Sequence, residues 1–251
     1  MKLKPLGWVS SIILFLATAV ILRVTHYIFV PAYTLATGKP YLVGYLIGWI
    51  STMFMFLAAS LIAYKLDGHL LEKQAFISRY RLRSLEKVDW LWTVAMLLFA
   101  ALSLALLSFT QPILKTIPFF APHPKFPADM VDTAKNLTPG VLFGMPLRGQ
   151  LWLIVVYFLG WLLNIVGEEF WYRGWMLPRQ EIAFGKKAWI INGLMFNFQH
   201  TFQPWNMLAM LPGSLFLSYA VQRQGKTWMS IIWHGLLNVS LLFFIIQGVT
   251  G

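Results

Sequence analysis

In residues 151–166 the sequence reads LWLIVVYFLGWLLNIV, sixteen residues without a charge. The next nine residues, 167–175, read GEEFWYRGW and place two carboxylates side by side. An apolar run of this kind predicts a helix that crosses a membrane. The carboxylates need an explanation, because a charge at bilayer depth costs at least about 2.5–3.5 kcal/mol.

The whole chain shares this apolar character. Of its 251 residues, 58% are hydrophobic and only 12% are charged, and the mean hydropathy is +0.65. Soluble domains average about 45–50% apolar and about 25% charged residues. The composition therefore predicts an integral membrane protein with a single domain, residues 1–251. The chain has no cysteine, which excludes disulfides, thiolate nucleophiles and zinc–sulfur sites.

Seven apolar segments predict an all-α fold, a polytopic transmembrane helical bundle of about seven spans. The range is six to eight spans, because the fifth and sixth segments are short and could be tilted or broken. The segments lie at about residues 7–30, 41–64, 90–110, 150–166, 188–200, 205–221 and 228–247.

The distribution of basic residues predicts how the chain is oriented. Lys2 and Lys4 precede the first segment, and a dense basic set lies between Lys65 and Lys87, so both regions should be cytoplasmic. The loop at 111–149 contains seven prolines, which predicts irregular extracytoplasmic chain. The net charge of +11 occurs in short clusters between apolar runs, which indicates topology signals and argues against a nucleic-acid partner. The short chain and this layout indicate the cytoplasmic membrane of a bacterium.

The two carboxylates differ in the partners that the sequence offers them. Arg173 follows Glu169 by four residues, the favourable order for an ion pair along a helix. Glu168 points about 100° away from Glu169 and has no such partner. One interpretation is that both residues mark the water interface at the cytoplasmic end of the fourth segment. The other is that Glu168 is a functional carboxylate.

Two histidines in the C-terminal apolar segments favour the functional interpretation. His200 ends the fifth segment, with Phe196 four residues before it on the same helical face. His234 and Asn238 lie in the seventh segment, also four residues apart. A single buried histidine is more often a packing residue that hydrogen-bonds another helix. Ionisable residues on three membrane segments nevertheless indicate function.

The patterns EExxxR (Glu168, Glu169, Arg173), FxxxH (Phe196, His200) and HxxxN (His234, Asn238) occur in this order within seventy-one residues. Together they resemble the CPBP family, also called Abi, which is named after CAAX proteases and bacteriocin-processing enzymes. The resemblance covers about residues 150–247. The first 149 residues are similar only in being hydrophobic.

This resemblance implies an intramembrane glutamic endopeptidase that acts on a membrane-associated peptide or protein substrate in the lipid bilayer; a prenylated peptide, a leader peptide and a regulatory membrane protein are all compatible with it. Glu168 would be the general base that activates water, and His200 would help to hold and deprotonate the water. His234 and Asn238 would stabilise the oxyanion, with Glu169, Arg173 and Phe196 in supporting roles. The resemblance implies no metal and no cofactor.

Three alternatives remain open at this stage. Glu168, His200 and His234 could form a zinc site in which a metal-bound water is the nucleophile. The same residues could form a proton relay in a transporter, or belong to a chaperone or bacteriocin-immunity factor without protease activity. The protease hypothesis also requires that Glu168 and His200 lie at the same depth, so the fourth segment must be buried further or the fifth must be short and tilted.

Overall fold

The computed structural model describes residues 3–69, 72–131 and 138–251, so Lys2 lies outside the described part. About 77% of the structure is helical, and the predicted all-α bundle is confirmed. The long helices are α1 (Trp8–Val24), α3 (Tyr41–Leu66), α5 (Lys87–Leu107), α8 (Leu151–Glu169), α10 (Ala188–Gln199), α11 (Met207–Gln224) and α12 (Trp228–Thr250). Shorter helices are α2 (Val30–Thr37), α4 (Lys73–Arg79), α6 (Thr110–Leu114), α7 (Ala128–Val131) and α9 (Leu177–Phe184).

Five helical stretches in the described residues are long and apolar enough to cross a membrane. They are Trp8–Thr37, Tyr41–Leu66, Lys87–Leu107, Leu151–Gln199 and Trp228–Thr250. The predicted fifth segment forms α10 and belongs to the fourth of these stretches. The predicted sixth segment forms α11, which is helical but contains Pro212.

The helical run that begins at Leu151 extends well past the two carboxylates. A π-helical turn, Phe170–Met176, follows α8 directly and leads into α9. The α-helix ends at Phe184, and a 3₁₀ turn, Gly185–Lys187, connects it to α10 within the same helical stretch; the positive φ of 56° at Gly185 is a conformation that favours glycine. The chain then reverses, and α10 returns alongside the same run. Glu168 and Glu169 therefore lie in the middle of a long helical run and are buried in the bundle, so they do not mark the end of the helix.

The N-terminus and the basic region between Lys65 and Lys87, both predicted to be cytoplasmic, lie at the same end of the bundle. The backbone N–H of Leu6 donates to the carbonyl of Arg179, and the guanidinium of Arg179 forms an ion pair with Asp67. At the opposite end, the Tyr27 hydroxyl donates to the carbonyl of Phe202. The proline-rich loop there is mainly irregular, with α6, α7 and the two-residue strands β1 (Val141–Leu142) and β2 (Met145–Pro146).

Helix α8 packs closely against α3 and α12 at the centre of the bundle. At Gly167 the approach to α3 is so close that a Cβ atom would lie 2.6 Å from the backbone oxygen of Met53. Only a residue without a side chain allows this separation between two helices. The contact fixes the position of Glu168, the next residue along the chain.

Candidate functional site

A cavity of about 680 Å³ lies within the bundle, between walls formed by α1, α3, α5, α8, α10, α11 and α12. It is lined by all four residues for which a catalytic role is predicted, namely Glu168, His200, His234 and Asn238. Phe196 lines it as well, whereas Glu169 and Arg173 lie behind its wall. The structure thus brings together on one surface side chains that are up to seventy residues apart in sequence.

Helices α9 and α10 form an antiparallel pair that returns His200 to the level of Glu168. Asn192 donates to the Gln180 side chain over 2.9 Å and to the backbone oxygen of Tyr172 over 3.2 Å. Two turns after Asn192, the hydroxyl of Tyr172 donates to Gln199, the residue before His200. This hairpin provides the equal depth that the protease hypothesis requires.

Glu168 is 4% exposed and lies on the cavity wall formed by α8. Its Oε2 atom accepts a hydrogen bond of 3.3 Å from the Gln199 amide. The Gln199 oxygen accepts from Tyr172, so the orientation of the Gln199 amide is determined on both sides. Glu168 has no cationic side chain within ion-pair distance in the described residues, which leaves it free to interact with a water in the cavity.

Glu169 and Arg173 are both completely buried and form the ion pair that their spacing predicts, with 3.3 Å between Oε1 and the guanidinium. The guanidinium also lies 3.8 Å from the centre of the Phe196 ring, a cation–π contact. Arg173 thereby joins the EExxxR pattern to the FxxxH pattern. Its second amino group lies 3.5 Å from Ser218 on α11. These contacts connect three helices behind the cavity wall.

His200 hydrogen-bonds through Nδ1 to the backbone oxygen of Phe196, 2.9 Å away. A carbonyl oxygen only accepts, so Nδ1 must carry the proton. In the neutral ring Nε2 is then an acceptor, available on the cavity side. This arrangement suits a residue that holds a water by accepting one of its hydrogens.

His234 and Asn238 form the facing wall on α12. Nδ1 of His234 lies 3.0 Å from Oε1 of Glu169, and its Nε2 lies 3.3 Å from the Asn164 amide nitrogen. Asn238, one turn later, is exposed where it lines the cavity. The described residues provide no hydrogen-bond partner for its amide, so both N–H groups are available to a molecule in the cavity.

The described residues contain no cluster of three His, Asp or Glu side chains that could hold a metal ion. His200 and His234 each have Nδ1 engaged by an oxygen, an orientation that zinc-ligating histidines also show, and Nε2 of His234 faces the Asn164 amide nitrogen. Of the ring nitrogens of these two histidines, only Nε2 of His200 has no protein partner in the described residues.

Several polar residues at this site do not belong to the predicted set. They are Gln199, which contacts Glu168; Asn164, which contacts His234; and Trp49 on α3, whose indole contacts Asn164 over 3.0 Å. His26 also lines the cavity and is 3% exposed, although the sequence places it near the outer end of the first segment. The available signal was the presence of Asn164 and Gln199 within strongly apolar segments.

A comparison with known protein families gives a match over the part of the chain that contains the predicted site residues. Residues 150–240 match the family described as type II CAAX prenyl endopeptidase, Rce1-like. The predicted resemblance to the CPBP family is therefore confirmed over this segment, which contains all three patterns. No curated protein and no solved structure matches the chain.

Proposed function

We propose, from the match of residues 150–240 to the CAAX prenyl endopeptidases, that this protein is an intramembrane endopeptidase that uses a glutamate to activate water. At the level of the family, the match supports a membrane-embedded peptide hydrolase. The observation that carries the finer proposal is the single cavity lined by Glu168, His200, His234 and Asn238.

In this proposal Glu168 is the general base. A water held between its carboxylate and Nε2 of His200 gives up a proton to Glu168 while its oxygen attacks the carbonyl carbon of the peptide bond. The tetrahedral intermediate then collapses, the C–N bond breaks, and the proton passes from Glu168 to the departing amine. Gln199 donates to Oε2 of Glu168, which holds the carboxylate against α10.

His234 and Asn238 form the side of the cavity assigned to the oxyanion. The negative charge that develops on the carbonyl oxygen requires hydrogen-bond donors that are already in place. The amide of Asn238 suits this role because it does not titrate and has no other partner in the described residues. Donors of this kind contribute about 2.7–4 kcal/mol each to transition-state stabilisation.

The substrate that we propose is a membrane-associated peptide, prenylated or carrying a leader sequence. Apart from Glu168, the cavity wall is lined by aromatic, aliphatic and uncharged polar side chains, such as Tyr45, Tyr157 and Phe202. Such a wall fits a peptide segment with apolar side chains, or a lipid chain attached to it. We place the protein in the cytoplasmic membrane of a bacterium, with the N-terminus in the cytoplasm.

The decisive experiment measures cleavage of prenylated and unprenylated peptides by the purified protein in lipid. Glu168→Gln and His200→Ala should abolish turnover while the protein stays folded, and Asn238→Ala should reduce it by about 10²–10³-fold. The matched control is Glu72→Gln, the same chemical change at an exposed residue of the cytoplasmic loop. Full activity of Glu168→Gln would contradict the proposal.

A zinc chelator separates the alternatives that the sequence leaves open. Cleavage that depends on Glu168 and survives the chelator supports the glutamate mechanism. Cleavage that is lost with chelator and restored by zinc would instead establish the metal mechanism. A folded protein that cleaves no member of the peptide set would count against the protease proposal and favour the transporter or chaperone alternatives.

A further inference from the structure

His234 is held at both ring nitrogens by buried neighbours. Nδ1 lies 3.0 Å from Oε1 of Glu169, and Nε2 lies 3.3 Å from the amide nitrogen of Asn164. Asn164 is on α8, one turn before Glu168, and lines the same cavity. The hydrogen-bonding capacity of each neighbour therefore decides where the ring carries its proton.

The orientation of the Asn164 amide is set by Trp49. An indole N–H can only donate, and that of Trp49 lies 3.0 Å from Oδ1 of Asn164. The amide oxygen thus faces α3, and the amide nitrogen, with its hydrogens, faces His234. Nε2 of His234 must accept, so it carries no proton. Nδ1 carries the proton and donates it to Glu169, which also accepts from Arg173.

The indole of Trp49 has little freedom to move. Its ring packs onto Gly160, where a Cβ atom would lie 2.6 Å from the indole, and it lies 5.3 Å from the ring of Tyr157 between centroids. Gly160, Asn164 and Glu168 follow one another at intervals of four on one face of α8. The glycine provides space for the indole, and the indole orients the amide.

We propose that Trp49 and Asn164 are positioning residues that hold His234 in the neutral form with its proton on Nδ1. This inference rests on the proposed function and narrows it. A ring in this form has no N–H left for a substrate, since Nδ1 donates to Glu169. Of the two residues on the oxyanion side, Asn238 is then the donor to the carbonyl oxygen. His234 donates to Glu169 instead and does not contact the carbonyl oxygen through an N–H group.

Nitrogen-15 NMR of the histidine-labelled protein in lipid tests this directly, because protonated and unprotonated ring nitrogens have well-separated chemical shifts. The His234 signals, assigned from their loss in His234→Gln, should show a protonated Nδ1 and an unprotonated Nε2 at neutral pH. A protonated Nε2 in the wild-type protein would overturn the proposal. The measurement needs no substrate, so its result is independent of whether the protein is a protease.

Two variants and a control test the role of the neighbours. Trp49→Phe removes the indole donor, so the side-chain amide of Asn164 can rotate and present its oxygen to His234. Asn164→Asp replaces the amide donor by a carboxylate acceptor. Both variants should therefore shift the proton of the His234 ring towards Nε2. The matched control is Trp161→Phe, another tryptophan on the cavity wall, whose indole N–H has no hydrogen-bond partner in the described chain. It should leave the His234 signals unchanged. Unaltered His234 signals in Trp49→Phe would show that Trp49 does not set the state of the ring.

The activity of the same variants distinguishes positioning from a general loss of structure. Trp49→Phe should lower kcat more than it changes KM and should alter the pH dependence of kcat, because a second protonation state of His234 becomes accessible. Trp161→Phe should retain the wild-type pH profile. An unchanged pH profile in Trp49→Phe, in a protein that cleaves peptides normally, would contradict the positioning role.

Discussion

The contact between α3 and α8 at Gly167 provides the sharpest test of how this fold positions Glu168. In Gly167→Ala the new methyl group would lie 2.6 Å from the backbone oxygen of Met53, whereas ordinary van der Waals contact begins at 3.4 Å. The neighbour is backbone and cannot turn aside as a side chain would. The two helices must therefore separate by about 0.8 Å at the residue next to the proposed base.

This displacement has two expected consequences. Overpacking of a well-packed core costs about 1–3 kcal/mol. A misplacement of about 1 Å at a catalytic group can lower the rate by about 10²-fold. We therefore expect Gly167→Ala to fold, to unfold at a lower temperature than its control, and to cleave peptides about two orders of magnitude more slowly.

The matched control is Gly235→Ala, at the residue next to His234. A Cβ atom there would meet side-chain atoms of Ile165 and Trp161 at 3.4 Å, an ordinary contact. Both variants gain the higher helix propensity of alanine, about 1 kcal/mol, so the difference between them isolates the overpacking. Thermal unfolding in lipid should place Gly167→Ala about 2–12 °C below Gly235→Ala. Equal melting temperatures and equal cleavage rates would refute the reasoning.

Three further predictions concern individual contacts. Arg173→Met leaves Glu169 buried without its cation and should destabilise the protein by about 3–5 kcal/mol in thermal unfolding, part of which the double variant with Glu169→Gln should recover. Gln199→Leu removes the donor to Glu168; hydrogen bonds to charged groups contribute about 1.5–3 kcal/mol, so kcat should fall at least about tenfold in the peptide assay, and an unchanged kcat would exclude this role. Hydrogen bonds to the carboxylates of Asp89 and Glu86 raise the pKa of Lys226 above its usual 10.5. Its stabilising effect should be constant at neutral pH and decline as the pH rises through that raised pKa, measured as a shrinking difference in melting temperature between the wild type and Lys226→Met.

The N-terminal and the C-terminal parts of the chain both contribute to the wall of the cavity. The residues that line it come from both the matched segment and the first 149 residues, including Tyr45, Trp49 and His26. The N-terminal helices therefore do more than anchor the chain, because they supply part of the wall against which a substrate would lie. Sequence differences in these helices would change which substrates fit the cavity without changing the proposed catalytic residues.

The sequence by itself determined the helical membrane character, the location of the apolar segments, and the ion pair between Glu169 and Arg173. These properties depend on local composition and on the helical period, which act between residues close in the chain. The three motifs in their order were also sufficient to identify the family resemblance. For the same reason the i, i+4 relations within each motif could be predicted before the fold was known.

Only the tertiary structure decided which distant residues support the site. The helical run from Leu151 continues past Glu169 because residues 170–180 pack almost entirely inside the bundle, so local hydropathy could not locate its end. The hydrogen bond between Trp49 and Asn164 joins residues 115 positions apart, and the close approach at Gly167 depends on the backbone of another helix. Such contacts arise from how whole helices pack, and a polar residue in an apolar segment does not reveal which partner it will meet.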